Sequence, residues 1–183
     1  MPSNHQASSK NFKRLFHISE EPGIGIFEPR PSPSFFAEIN AGVVFAIEER
    51  LLHNYLLPRD CPRVTFYRSD KTTPGDEAKF FGESTADFIV IVESAWYQRI
   101  KETKLYRYQL PAEHFTLLDE CAGYYISYLP ATPVSVDMVD DIIAELLTHD
   151  IELRFTPSLI KIAEAVSQSS LNYSIIRMRN AGR

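Results

Sequence analysis

Glycine and cysteine are the scarce residues of this chain. Seven glycines among 183 residues leave little material for loops that cradle phosphate with backbone N–H groups. Gly23-Ile24-Gly25 offers the first two positions of a dinucleotide fingerprint, but Glu28 stands at the third. No G-x-x-x-x-G-K-[ST], H-E-x-x-H or G-x-S-x-G pattern occurs, which disfavours P-loop, zincin and hydrolase chemistry. The two cysteines, Cys61 and Cys121, form no C-x-x-C pair and are expected to be reduced thiols in a cytoplasmic protein. Five histidines show no metal-ligand spacing, so no metal is expected. The longest apolar run, Phe88 to Val92, is strand-sized and far below the ~18–20 residues of a membrane span. A formal charge of −5 gives no general attraction for DNA or an anionic membrane.

What is present is an ordinary globular composition, 44% hydrophobic and 23% charged. A polar leader is expected over residues 1–13 and one α+β domain over 14–181. Short strands are expected near 14–19, 43–47, 63–68, 88–93, 105–110, 115–119, 124–129, 151–155 and 173–179. Pro22, Pro29, Pro31 and Pro33 force an extended path between the first two. Helices are expected at about 48–57, 94–102, 137–148 and 157–167, and residues 69–77 read as a polar loop. In the third helix Val139, Ile142, Ile143, Leu146 and Leu147 share one face, with Asp137 as its N-cap. The pattern implies a strongly bent or split sheet of mixed or antiparallel strands.

Polar residues gather in a few places. His17 interrupts an apolar strand, either as a core histidine or as a group aimed into a cleft. Arg59, Asp60 and Arg63 stand between prolines, and Arg30 is framed by Pro29 and Pro31. These guanidiniums either clamp turns or form a fork of donors for a phosphate or carboxylate. Arg177 and Arg179 alternate on a late strand and suit either an anion or surface acids. Asp119 and Glu120 stand at a turn before Tyr124 and Tyr125. At least two of the five arginines are expected to meet, with Asp60 pairing one.

Taken together, Leu15–Glu20, Phe27–Arg30, Pro58–Arg63, Ala122–Ser127 and Ser174–Asn180 resemble an uncharacterised bacterial family of single-domain proteins, which carries no established activity. More distantly, Phe16-His17-Ile18-Ser19, followed by an apolar strand and a helix carrying Tyr55, resembles the ADP-ribosyltransferase-like fold. That resemblance implies an enzyme that takes NAD as substrate rather than as a permanent cofactor. His17 would hold a ribose or carboxamide, Tyr55 would stack on nicotinamide, and Glu120 would steady an oxocarbenium-like transition state. The other reading is a non-catalytic nucleotide- or anion-binding module using the arginines.

Overall fold

The computed structural model describes residues 13–32 and 36–182. The expected leader, apart from Lys13, lies outside the described residues, as does Pro33. The described chain forms ten strands in two sheets. The larger sheet contains β1 (Leu15–Ser19), β2 (Val44–Glu48), β5 (Leu105–Leu110), β6 (Thr116–Asp119), β7 (Tyr124–Ser127) and β8 (Ser135–Val139). Its order is β6-β7-β2-β1-β5-β8, antiparallel throughout. The smaller sheet contains β3 (Arg63–Tyr67), β4 (Phe88–Glu93), β9 (Ile151–Thr156) and β10 (Asn172–Ile176), in the order β10-β3-β4-β9. Only its β4–β9 pair is parallel.

Side-chain alternation explains the layering. Phe16 and Ile47 of the larger sheet meet Tyr67, Val90 and Val92 of the smaller one in the main core. Ile89, Ile91, Val64 and Phe66 point the other way, onto α1 (Pro74–Phe80) and α4 (Ile160–Ser167). β4 is therefore apolar on both faces because both faces are covered. The outer face of the larger sheet holds Leu15, Val44, Ala46, Tyr108 and Tyr125. The proline-rich stretch crosses it, pinned by backbone bridges Phe27–Ala131 and Arg30–Val43. The remaining helices are α2 (Tyr97–Glu102) and α3 (Ile142–Leu147).

Several boundaries differ from expectation. The 48–57 helix is a kinked 3-10 turn over Glu49–Asn54. Leu51, Leu52, His53, Asn54, Leu56 and Leu57 are all buried, so this segment threads through the interior instead of laying one face on it. Residues 135–139 are strand, and the helix begins only after Asp141, whose carboxylate accepts from Ala144 N–H; Asp137 is not its cap. The supposed loop at 69–77 contains α1, started by Thr73 as cap and Pro74 at the first position. Gly82, at φ +56°, follows its end in the left-handed conformation common past helix C-termini. The last strand stops at Ile176, and Arg179 lies in a 3-10 turn, Met178–Asn180. Arg177 and Arg179 therefore do not share a strand face.

Candidate functional site

β1 and β2 pair only through Leu15–Glu48 and Phe16–Ile47. At the next residue the ladder gives way to a side chain: His17 Nδ1 lies 3.0 Å from the Phe45 carbonyl oxygen. A carbonyl can only accept, so Nδ1 carries the proton and Nε2 of the neutral ring presents a lone pair. The His17 ring rests on Phe27, 4.6 Å between centroids. Burial, above all, holds the imidazole pKa below its ordinary value; Arg59 and Arg30 push in the same direction, against the Phe45 hydrogen bond. His17 thus sits at a splay in the sheet, within the electrostatic reach of two arginines.

Phe45 points to the other face of the sheet. Its ring meets Tyr124 edge-on at 6.5 Å, and Tyr124 meets Tyr55 at 6.0 Å. The Tyr55 hydroxyl donates to Tyr124 Oη at 2.8 Å. Burial, followed by the neighbouring Tyr124, drives the Tyr55 phenol well above its usual pKa; it is a neutral donor, not a base. Tyr55, Tyr124 and the Phe45 ring therefore lie on the sheet face opposite His17, which meets this group only at the Phe45 backbone carbonyl. Sequence reasoning missed Phe45, although alternation in 43–47 places it opposite Val44 and Ala46.

Beside Tyr55 lies Arg63, 2% exposed. Its guanidinium is 5.6 Å from the Tyr55 ring centre. It donates to three backbone carbonyls: Asn54 at 3.0 Å, Pro58 at 3.3 Å and Cys61 at 2.7 Å. Arg63 is a clamp for the Pro58–Cys61 turn, so its role is to position that turn, not to offer an open fork of donors. The turn carries Arg59, whose backbone N–H donates to Glu20 Oε1 at 2.8 Å.

The chain after β10 brings the next arginine. Arg177 adopts φ +57°, a costly left-handed turn for a residue with a side chain. Its Nε then donates to the Arg59 carbonyl at 3.1 Å and lies 3.9 Å from Asp60 Oδ1. Asn180 Nδ2 donates to the Asp60 carbonyl at 2.7 Å. Behind this tail the buried Glu93 carboxylate accepts from Gly182 N–H at 2.9 Å and Leu159 N–H at 3.1 Å. Arg59, Asp60, Arg63 and Arg177 thus gather at one place, with Asp60 paired to Arg177.

Charge compensation separates these arginines from the others. Arg14, Arg50, Arg68, Arg99, Arg107 and Arg154 each have a carboxylate partner within 3.2 Å. Among the described residues, Arg30, Arg59 and Arg63 have no carboxylate within ion-pair distance, and Arg177 has only the long contact to Asp60. Arg59 and Arg30 thus place positive charge within reach of His17, where β1 and β2 part.

Two sequence candidates stand apart. Glu120 is exposed on the β6–β7 turn, and among the described residues no hydrogen bond or ion pair ties it to His17, Tyr55 or an arginine. Arg179 is exposed within the Met178–Asn180 turn, without an ion-pair partner among the described residues. A separate hollow of about 340 Å³ between α2 and α3, lined by Tyr97, Lys101, Asp140 and Leu147, contains none of these residues. Among the described residues, no cluster of three or more His, Cys, Asp or Glu side chains could hold a metal ion, and no helix is long and apolar enough to cross a membrane.

Fold and site together define a single-domain α+β protein in which Arg30 and Arg59 lie within electrostatic reach of His17, where β1 and β2 stop pairing. The chain belongs to DUF6886, a family of unknown function whose model matches residues 16–181. Neither the curated proteins nor the solved structures contain a match. The ADP-ribosyltransferase-like resemblance therefore gains no support from a solved structure.

Proposed function

We propose that β1 and β2, where they part, form an opening that binds a small phosphorylated ligand of nucleotide type. The observation that carries this reading is that Arg30 and Arg59, both within electrostatic reach of the neutral His17, have no carboxylate within ion-pair distance among the described residues, while Arg177 has only the long contact to Asp60. Arg30, Arg59 and Arg177 supply donors to phosphate oxygens. His17 Nε2 is an acceptor among these donors and suits a ligand hydroxyl. The protein's task is recognition of that ligand, and Arg63 fixes the turn that presents Arg59.

Cleavage of a nicotinamide–ribose bond is the second reading. The exposed, unpaired Glu120 carboxylate on the turn entering β7 keeps it in view. On this reading NAD occupies the same opening, and Glu120 must approach the sugar carbon on which positive charge develops.

Calorimetric titration with ADP, NAD and inorganic pyrophosphate tests the binding reading. Binding below millimolar concentration is expected for at least one, weakened about 10-fold or more by Arg59→Ala, as for a lost charge-assisted hydrogen bond. No binding by any of the three sinks it. Released nicotinamide, abolished by Glu120→Gln, would establish the catalytic reading; NAD binding without release would leave recognition alone.

A further inference from the structure

We propose that β8 is a self-complementary edge through which two copies of this chain join their larger sheets. β8 is the last strand of the six-stranded sheet. It pairs with β5 on one side, and among the described residues nothing pairs with the other. Four consecutive residues, Ser135 to Met138, are exposed. Val134, Val136 and Met138 are 61%, 52% and 53% exposed and alternate along the chain. They share the outer sheet face with Tyr106 and Tyr108, which stand opposite Met138 and Val136. The stretch from Glu21 to Phe27 covers this face over β1 and β5: Tyr108 donates to the Glu21 carbonyl, and Ile24 N–H donates back to Tyr108 Oη. Its cover ends before β8. Edge strands are ordinarily guarded by lysine, proline or a bulge. Residues 134–139 contain no lysine and no proline, and their register with β5 runs without a shift from Ser135 to Val139.

The sequence of the edge favours a second copy over an unrelated strand. An antiparallel pairing with a twofold axis at Val136 puts Val136 opposite its own copy and Val134 opposite Met138. An apolar strip is thus its own complement. On the other face the same register sets Asp137 opposite Ser135, a hydroxyl donor, so the carboxylates do not confront each other. Asp137 also keeps Arg107 at 3.6 Å. Moving the axis to Asp137 would oppose two like charges, which is destabilising. Charge therefore favours the Val136 axis over the Asp137 one.

Sedimentation velocity on the full chain, from about 5 to 300 μM, tests this; an interface of one strand pair belongs to the weak, small class. A concentration-dependent monomer–dimer equilibrium is expected. Val136→Lys sets two ammonium groups against each other on the axis and should leave only monomer. Ser135→Lys sets an ammonium opposite the partner's Asp137, twice per dimer, and should tighten association about 2- to 30-fold. Far-UV circular dichroism checks that each variant is folded, and Met138→Lys replaces Val136→Lys should that variant unfold. A parent chain that stays monomeric throughout overturns the proposal. So does a dimer unchanged by the lysine at 136 or 138, or weakened by the lysine at 135.

Discussion

Replacing Arg63 by methionine tests whether a buried cation organises this site. Methionine preserves much of the side-chain volume, so the cavity contribution is small. What is lost is the guanidinium and its bonds to the carbonyls of Asn54, Pro58 and Cys61. Each buried carbonyl left without a donor costs about 1–3 kcal/mol. Against that, the desolvation of a buried cation, several kcal/mol, is no longer incurred. Burial already lowers the Arg63 pKa below its ordinary value, a sign of that desolvation. The three carbonyls face one another across a tight turn and repel once the cation is gone, so the loss outweighs the relief. A net destabilisation of about 2–4 kcal/mol is expected. Urea unfolding should show a lower midpoint with an unchanged slope. Arg63→Lys should recover only part of the loss, because an ammonium cannot spread its donors as a planar fork does. A methionine variant as stable as the parent would refute the reasoning, since the turn would then hold itself.

Gly123→Ala should destabilise by about 2–4 kcal/mol: φ is +70°, and a Cβ there would stand 2.8 Å from Leu51 Cδ1 and 2.9 Å from Glu48 Cγ. Thermal unfolding reads this directly, and a shift under about 2 °C would contradict it. His53 is buried against Phe88, its Nε2 has no hydrogen-bond partner among the described residues, and burial lowers its pKa to about 3. The folded state then resists a proton that the unfolded state accepts near pH 6.5, so this contribution is complete above that pH and falls away as pH drops toward 3. The contribution should shrink by about 2 kcal/mol between pH 7 and 5. Urea midpoints at both values should show less acid sensitivity in His53→Phe; an identical pH dependence in that variant would assign the effect to other groups.

Periodicity carried the fold as far as each element keeps one pattern of burial from end to end. Alternation at 63–67 and the doubly apolar run at 88–93 mark β3 and β4, because covering both faces of the smaller sheet leaves those patterns intact. The apolar spacing from Val139 to Leu147 is helical, yet its first member is a strand residue. Val139 pairs with Leu105 and enters the same core as Ile142 and Leu146. One core fed by a strand end and the helix after it reads as one helix. The missed α1 had the opposite problem. Its start is written in Thr73-Pro74 and the acids Asp76 and Glu77, but it buries only Phe80 within its span, so no apolar stripe announces it.

The site divides along a similar line. Rigid proline frames point to Arg30, Arg59 and Arg63, but sequence cannot tell which guanidinium is spent on backbone and which stays open. That distinction decides function. Had Arg63 been matched by a buried carboxylate, the pair would be neutral and would add nothing to the positive charge of Arg30 and Arg59. Backbone carbonyls satisfy its hydrogen bonds while leaving its formal charge uncancelled. Glu93 shows the converse. Its carboxylate is 2% exposed and bonds to backbone N–H groups rather than to an arginine. Two opposite charges are thus held apart by backbone dipoles, one fixing the tail and the other the turn. The tail so fixed brings Arg177 to the Arg59 turn, where its one carboxylate contact among the described residues is Asp60 at 3.9 Å. Salt supplies the check on this arrangement: phosphate binding that depends on open guanidiniums weakens as ionic strength rises, whereas binding by ring contacts alone does not.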